Sequence, residues 1–396
     1  MRTRLALAMA LAGLVAFAAC QPAKSPPPAP PAPPAPPAPP GSPSLAKQVL
    51  VSNLSQPWDV AFTPNDGTML FTEKGGAISA RLGGVKRQLG MVPDVKVAGE
   101  GGLLGMAIHP GYGSGSDFIY VCYASTNGTT RDDDNDVRVA RFTVDLTYPA
   151  NAALSGQTPI VDEMPWTTGR HSGCRPRFGP DGKLWITTGD SATGLVPVDL
   201  GSLGGKVLRI EPSGAAAAGN PSLGGDDRIY TFGHRNVQGI AFQPGTDQAY
   251  SIEHGPGVDD EINRLLGGRN YGWDGDNNNN SAYEETGVPM TDTDEHPGAV
   301  GAVWSSGSST IAPSGGTFLS GPQWGSWNGA FAVAVLKDMR LRVFFLNGAG
   351  TGVTSFTDVL QEGLRLRVAV QGPDGNLYVT TDHSDANGQI WKVVPS

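Results

Sequence analysis

The chain has 396 residues, a formal net charge of −9 and only 16% charged residues. That balance excludes a nucleic acid as partner, because a phosphate backbone is met with surplus Lys and Arg. With 55 glycines and few helix-length amphipathic stretches, it excludes a helical bundle as well and favours a turn-rich all-β body.

The first segment is a leader. MRTR is a basic start, and LALAMALAGLVAF is an apolar run too short for a comfortable membrane span. It ends at Cys20 after two alanines, which resembles a bacterial lipoprotein signal, with Phe17 standing where Leu is usual. On that reading residues 1–20 are the signal and Cys20 carries the lipid; the other reading is cleavage as an ordinary secreted protein. Either way the chain is exported, to the periplasm or to the outer membrane or cell surface, and a lipid anchor is its only expected membrane contact. Residues 21–43, QPAKSPPPAPPAPPAPPAPPGSP, form a proline tether of extended polyproline II. Residues 44–396 remain for the folded body, enough for a large core.

From Leu45 onward one phrase recurs: an apolar strand, a turn with Pro, Asp or Gly, and a second strand. It runs at 59–73, 102–124, 175–190, 239–255, 316–336 and 367–383. Pro-Asp-Gly supplies the turn geometry, and β-branched and aromatic residues fill the flanks. Six phrases at blade-like spacing predict a six-bladed β-propeller. KQVLVSNL (47–54) and GQIWKVV (388–394) are placed to close one blade between them. A β-sandwich is the alternative, but it does not naturally repeat one hairpin six times. Cys122 and Cys174 either pair or stand as two buried thiols.

A propeller presents its chemistry on loops at one mouth of the channel, so function is argued from loop residues. Glu100 lies in the glycine-rich GEGGLLGMAIHP, either as a turn residue or as a carboxylate facing a cleft. His109, at the end of that strand, reads as structural. His171, in RHSGCRPRFGPDG, is either an ordinary loop histidine or a base, placed where a propeller presents one, since imidazole accepts a proton near neutral pH; the neighbouring Arg170, Arg175 and Arg177 do not decide it. GHRNVQG repeats that placement. There Arg235 offers planar donors for a carboxylate or oxyanion, Asn236 both donates and accepts, and His234 reads as packing. In SIEHGPGVDDEIN, Gly255 and Pro256 leave backbone carbonyls bare, the kind of ligand Ca²⁺ takes. Asp259, Asp260 and Glu261 bind Ca²⁺, cap the next segment or are solvated; spacing does not choose. Thr310 belongs to a hydroxyl-rich loop, Lys337 ends a strand, and Arg365 and Arg367 lie two apart on one strand face. Together with Arg235, these cations form a ring suited to a polyanion if they converge.

Assembled, GEGGLLGMAIHP, IYTFGHRNVQGIAF, EHGPGVDDEINRLLGGRNYGW and RLRVAVQGPDGNLYVTTD resemble the soluble sugar dehydrogenases that use pyrroloquinoline quinone (PQQ), in their aldose sugar dehydrogenase branch. The likeness runs from about Leu50 to the C-terminus. It implies a six-bladed propeller holding PQQ and Ca²⁺ at one mouth, an aldose substrate oxidised at C1 to the lactone, and an external electron acceptor. It makes His171 the base that takes the anomeric proton while hydride passes to C5 of PQQ. Arg235 and Asn236 match the contacts to the quinone oxygens, and the Gly255 and Pro256 carbonyls match ligands of the cofactor's Ca²⁺. Lys337, Arg365 and Arg367 match the cations on the cofactor carboxylates, with Thr310 beside them. Glu261 and the Tyr271 carbonyl match a second, structural Ca²⁺ site.

Two positions depart from the glucose-oxidising relatives. Glu100 stands where they carry Gln, at a substrate or cofactor contact. Arg170 stands where they carry an Asp that orients the base, so the orienting partner of His171 is unassigned. The short polar stretch 274–300 implies an open site and broad aldose acceptance, with Tyr283 a candidate to stack on the cofactor. The competing readings are a non-redox propeller that binds a sugar or a partner, and a Ca²⁺-dependent lactonase.

Overall fold

Each recurring phrase folds as a pair of antiparallel strands, and two further strands complete a blade around it. The computed structural model describes residues 41–129, 134–276 and 282–396. The leader, Cys20 and all but the end of the proline tether lie outside the described residues. The chain opens with β1 (Leu45–Leu54), which belongs to the last blade. Blade one is β2 (Pro57–Phe62), β3 (Met69–Glu73), β4 (Ala77–Leu82) and β5 (Val85–Met91). Blade two is β6 (Leu103–Ile108), β7 (Phe118–Ser125), β8 (Asp136–Asp145) and β9 (Ala153–Met164). Blade three is β10 (Gly173–Phe178), β11 (Leu184–Thr188), β12 (Lys206–Ile210) and β13 (Ile229–Phe232). Blade four is β14 (Val237–Phe242), β15 (Ala249–Glu253), β16 (Glu261–Arg264) and β17 (Trp304–Ser305). Blade five is β18 (Pro313–Phe318), β19 (Phe331–Val335), β20 (Arg340–Leu346) and β21 (Val353–Val359). Blade six is β22 (Leu366–Gln371), β23 (Leu377–Thr381) and β24 (Gly388–Pro395), completed by β1.

Among the described residues these are six four-stranded sheets, as the six phrases predict. β1 pairs antiparallel with β24, from Leu45 opposite Pro395 to Leu54 opposite Gly388, so both ends of the chain share one blade. Each innermost strand packs against the innermost strand of the next blade, and β22 packs against β2, which closes the ring.

The second strand of a blade is covered on both faces by neighbouring blades. MLFTE, LWITT, AYSIE, FAVAV and LYVTT are accordingly buried at every position rather than alternately. Outer strands such as β5 and β9 alternate irregularly with solvent. Turn chemistry fixes the hairpins: in Pro180-Asp181-Gly182, Asp181 Oδ1 accepts the Lys183 N–H at 3.0 Å and Gly182 takes φ +72°. Cys122 of β7 is bonded to Cys174 of β10, which resolves the open pairing and ties blade two to blade three.

All innermost strands run the same way along the channel. The residue just before each one, and the residue just after each second strand, therefore share one end of the molecule. Glu100, His171, Arg235, Asn236, Thr310 and Arg365 are of the first kind. Lys74, Asp190, His254 to Pro256, Lys337 and Asp382 are of the second.

Candidate active site at the channel mouth

His171 is the point from which the site is built. It lies two residues before β10 with φ +50°, and it is 4% exposed. Its carbonyl is packed against Gly189: a Cβ at 189 would stand 1.8 Å from the His171 oxygen, so only glycine fits where β11 ends. That close approach brings Asp190 under the imidazole, with Oδ1 2.7 Å from His171 Nδ1. The other partners of Asp190 all donate: Ala192 N–H at 2.7 Å, Trp273 Nε1–H at 2.8 Å and the Tyr283 hydroxyl at 3.0 Å. A carboxylate so surrounded accepts from Nδ1–H, which fixes the tautomer and leaves Nε2 with its lone pair. Asp190 is thus the orienting partner left unassigned by the sequence. It closes the phrase WITTGD just after a second strand, where an Asp reads as an ordinary turn residue.

Tyr283, the candidate to stack on a cofactor, instead directs its hydroxyl at Asp190, with His171 Nδ1 at 3.1 Å. Burial, then the Asp190 charge, push that hydroxyl well above the usual tyrosine range, so it stays a donor. Two residues on, Glu285 Oε1 lies 3.6 Å from His171 Nε2 and accepts from Arg235, while Oε2 accepts from Arg170 at 2.7 Å. Arg170 therefore serves Glu285 and not the base. Glu285 carried no motif that marked it in advance.

Arg235 and Asn236 enter from blade four. Arg235 is 4% exposed, donates to the His254 carbonyl at 3.0 Å, and lies over the Trp273 ring at 5.5 Å. Asn236 Nδ2 donates to Glu100 Oε2 at 3.0 Å, and its Oδ1 accepts the Gly173 N–H at 3.2 Å. Glu100 thus faces the channel and is no mere turn residue. Gln238 extends the chain: its Nε2 donates to Asn236 Oδ1 at 3.0 Å, and its Oε1 accepts from Arg367 at 3.4 Å. Polar contacts therefore run without a break from Arg367 of blade six to the loop of His171 in blade three.

The remaining cations reach the same mouth. Arg365 and Arg367 both hold Asp382 Oδ2, at 3.3 and 2.8 Å. Lys74, which sequence reasoning missed, donates to the Gly99 carbonyl at 2.7 Å, next to Glu100; burial, then Arg367 beside it, hold its ammonium below the usual lysine range. Lys337 donates to Thr310 Oγ1 at 2.9 Å, and the Thr310 N–H donates to the Gly257 carbonyl at 3.3 Å, beside the Gly-Pro turn. Two of these arginines keep spare capacity: Nε of Arg235 and of Arg367 are buried without a partner among the described residues. A buried unpaired donor is costly, so this is where an anionic group fits.

The Gly255-Pro256 turn is held by Asp260, whose Oδ1 accepts the Gly255 N–H at 2.9 Å and whose Oδ2 accepts from Ile311 and Ala312. Asp260 is thus a fastener of the turn, a role none of the three readings of the acidic triplet named. Among the described residues neither the Gly255 nor the Pro256 carbonyl accepts a hydrogen bond. Free carbonyl oxygens suit a hard cation. Among the described residues no three His, Cys, Asp or Glu side chains gather as a metal site, so a cation here would rest on backbone oxygens and on its ligand.

Glu261 and Tyr271 lie in a separate layer. Glu261 is opposite Glu253 in the β15–β16 pairing and is 4% exposed. Burial, then Glu253, push its carboxyl up to about 8. Thr291 Oγ1 donates to Glu261 at 3.4 Å and packs against Gly272, the residue next to the Tyr271 carbonyl. Asn263 Nδ2 donates to both acids, to Glu253 at 3.3 Å and to Glu261 at 3.0 Å, and its buried Oδ1 has no partner among the described residues. Paired buried carboxyls and an orphaned amide oxygen fit a cation. His234, read as packing, is fully buried between Glu253 and Thr231 and stacks on Tyr271.

Comparison with known proteins agrees with this architecture. The family model described as glucose / sorbosone dehydrogenase matches residues 54–392. The aldose sugar dehydrogenase YliI of Escherichia coli is 32% identical over 359 residues, covering 88% of this chain and 92% of that protein. The solved soluble aldose sugar dehydrogenase of Escherichia coli, an apo-form, superposes with a TM-score of 0.76 at 30% identity, covering 89% of this chain and all of that one. The PQQ-bound aldose sugar dehydrogenase of Streptomyces coelicolor superposes with a TM-score of 0.72 at 28% identity, covering 90% of this chain and all of the other.

Proposed function

The chain belongs to the glucose/sorbosone dehydrogenase family, and on that premise we propose that it is a PQQ- and Ca²⁺-dependent aldose dehydrogenase. The observation that carries this reading is the imidazole of His171, locked by Asp190 with Nε2 free, at the same mouth as Arg235, Lys337, Arg365 and Arg367.

Arg365, Arg367 and Lys337 would hold the three carboxylates of PQQ, with Thr310 and Lys74 beside them. Arg235 and Asn236 would face the quinone oxygens, and the Gly255 and Pro256 carbonyls would hold Ca²⁺. When bound, PQQ supplies the two-electron acceptor for hydride from sugar C1, made more electrophilic by Ca²⁺, with the electrons passed on to an external acceptor. His171 Nε2 takes the proton of the anomeric hydroxyl, and the sugar leaves as its lactone. Asp190 stabilises the imidazolium that forms, and Arg235 stabilises negative charge developing nearby. Glu261 and the Tyr271 carbonyl would hold a second, structural Ca²⁺.

Export belongs to the same reading. The Cys122–Cys174 bond suits an oxidising compartment, and the leader ending at Cys20 would deliver and anchor the chain there. Among the described residues no helix is long and apolar enough to cross a membrane.

The test is reconstitution of purified protein with PQQ and Ca²⁺, followed by dye reduction with glucose and other aldoses. Aldose-dependent reduction is expected, and His171→Ala should lower turnover on the order of 10² or more. Dye reduction without added PQQ, or none with it, would overturn the reading.

A further inference from the structure

We propose that Glu285 sets the charge of the sugars admitted, favouring neutral and amino aldoses over those that carry a carboxylate. This deepens the function proposed above and rests on it. Nδ1 of His171 is committed to Asp190, so a substrate hydroxyl has Nε2 alone to meet. A hydroxyl that yields its proton there comes within about 3 Å of Nε2. Glu285 Oε1 is already 3.6 Å from that nitrogen, so the substrate must lie beside it.

The Glu285 carboxylate is the negative group here, set between the guanidiniums of Arg235 and Arg170. Burial opposes ionisation of Glu285, but Arg235 and Arg170 outweigh it and hold the carboxyl below its ordinary range. The same contacts engage one amino group of each guanidinium, so a carboxylate on the sugar would have to compete with Glu285 for them. The Glu285 side chain is 26% exposed, whereas Asp190 is fully buried beneath the imidazole; of the two carboxylates at the His171 ring, the one an incoming sugar meets is therefore that of Glu285. Its oxygens accept hydroxyl or ammonium hydrogens and repel a second carboxylate a few ångströms away.

The experiment compares wild type, Glu285→Gln and Glu285→Asp, all loaded with PQQ and Ca²⁺. D-Glucose, D-glucosamine and D-glucuronate are tested by dye reduction and, in parallel, by calorimetric binding, which needs no turnover. Wild type should favour glucose over glucuronate by ~10-fold or more, as expected for like charges in a partly desolvated site. Glu285→Gln should shrink that ratio ~10-fold, chiefly through tighter glucuronate binding, and Glu285→Asp should keep the preference. A ratio unchanged in Glu285→Gln, or wild type binding glucuronate as well as glucose, overturns the proposal. If no sugar reduces the dye, the dehydrogenase reading fails while the binding ratio still decides this one.

Discussion

His171 is held at φ +50°, a conformation that L-residues adopt at a cost and that recurs at functional sites. What the strain secures is the approach of its carbonyl to Gly189 and of its ring to Asp190. An amide at 190 presents both a donor and an acceptor and no longer dictates the Nδ1–H tautomer. Asp190→Asn should therefore lower kcat by roughly 10²–10⁴ while PQQ binding, measured by calorimetry, stays within a few-fold of wild type. A kcat unchanged within a factor of three would remove Asp190 from the mechanism. At this scale the sequence was half legible. His171, Arg235 and Asn236 stand out because they precede innermost strands inside motifs that resemble the family's. Asp190 and Asp382 do not, because an Asp after a strand looks like any turn residue until the ring closes around it.

At the scale of the strand pair, β15 and β16 set Glu253 against Glu261 with both faces buried. One strand residue shifted either way would separate the two acids, so register creates the strained pair. The folded state holds the Glu261 proton more tightly than the unfolded chain does, with its carboxyl raised to about 8 from 4.5. The stability this contributes is therefore complete below the unfolded value and is lost as pH rises towards about 8. Urea unfolding in a chelator should show that decline between pH 5 and 8, values set by the same shift, and Glu261→Gln should flatten it. Calcium should restore wild-type stability at the alkaline end if the site takes the cation, and an equal pH slope in both proteins would contradict the assignment. The inner hairpins were readable because turns of Pro, Asp and Gly and second strands of β-branched and aromatic residues mark them. Outer strands such as β5 and β9 were not, since solvent on one side erodes their pattern.

At the scale of the whole molecule, the fold converts a repeat into convergence. Six hairpins pointing the same way bring residues from blades one to six to one mouth, although Lys74 and Arg367 are far apart in sequence. Within that mouth an acidic protein thereby holds buried Arg nitrogens with no partner among the described residues, Nε of Arg235 and Arg367. Pairing of β1 with β24 closes the ring, and this too was legible, because the last blade lacks a fourth strand until the first strand of the chain supplies it. The central claim is that this cationic mouth holds a tricarboxylate quinone beside an independent base. Calorimetric binding of PQQ to the Ca²⁺-loaded protein tests it most directly. The account predicts one PQQ per chain, binding ~10-fold or more weaker in Arg367→Ala, as for loss of a charge-assisted hydrogen bond, and binding unchanged in His171→Ala. PQQ that fails to bind wild type, or that binds Arg367→Ala as tightly, would contradict it.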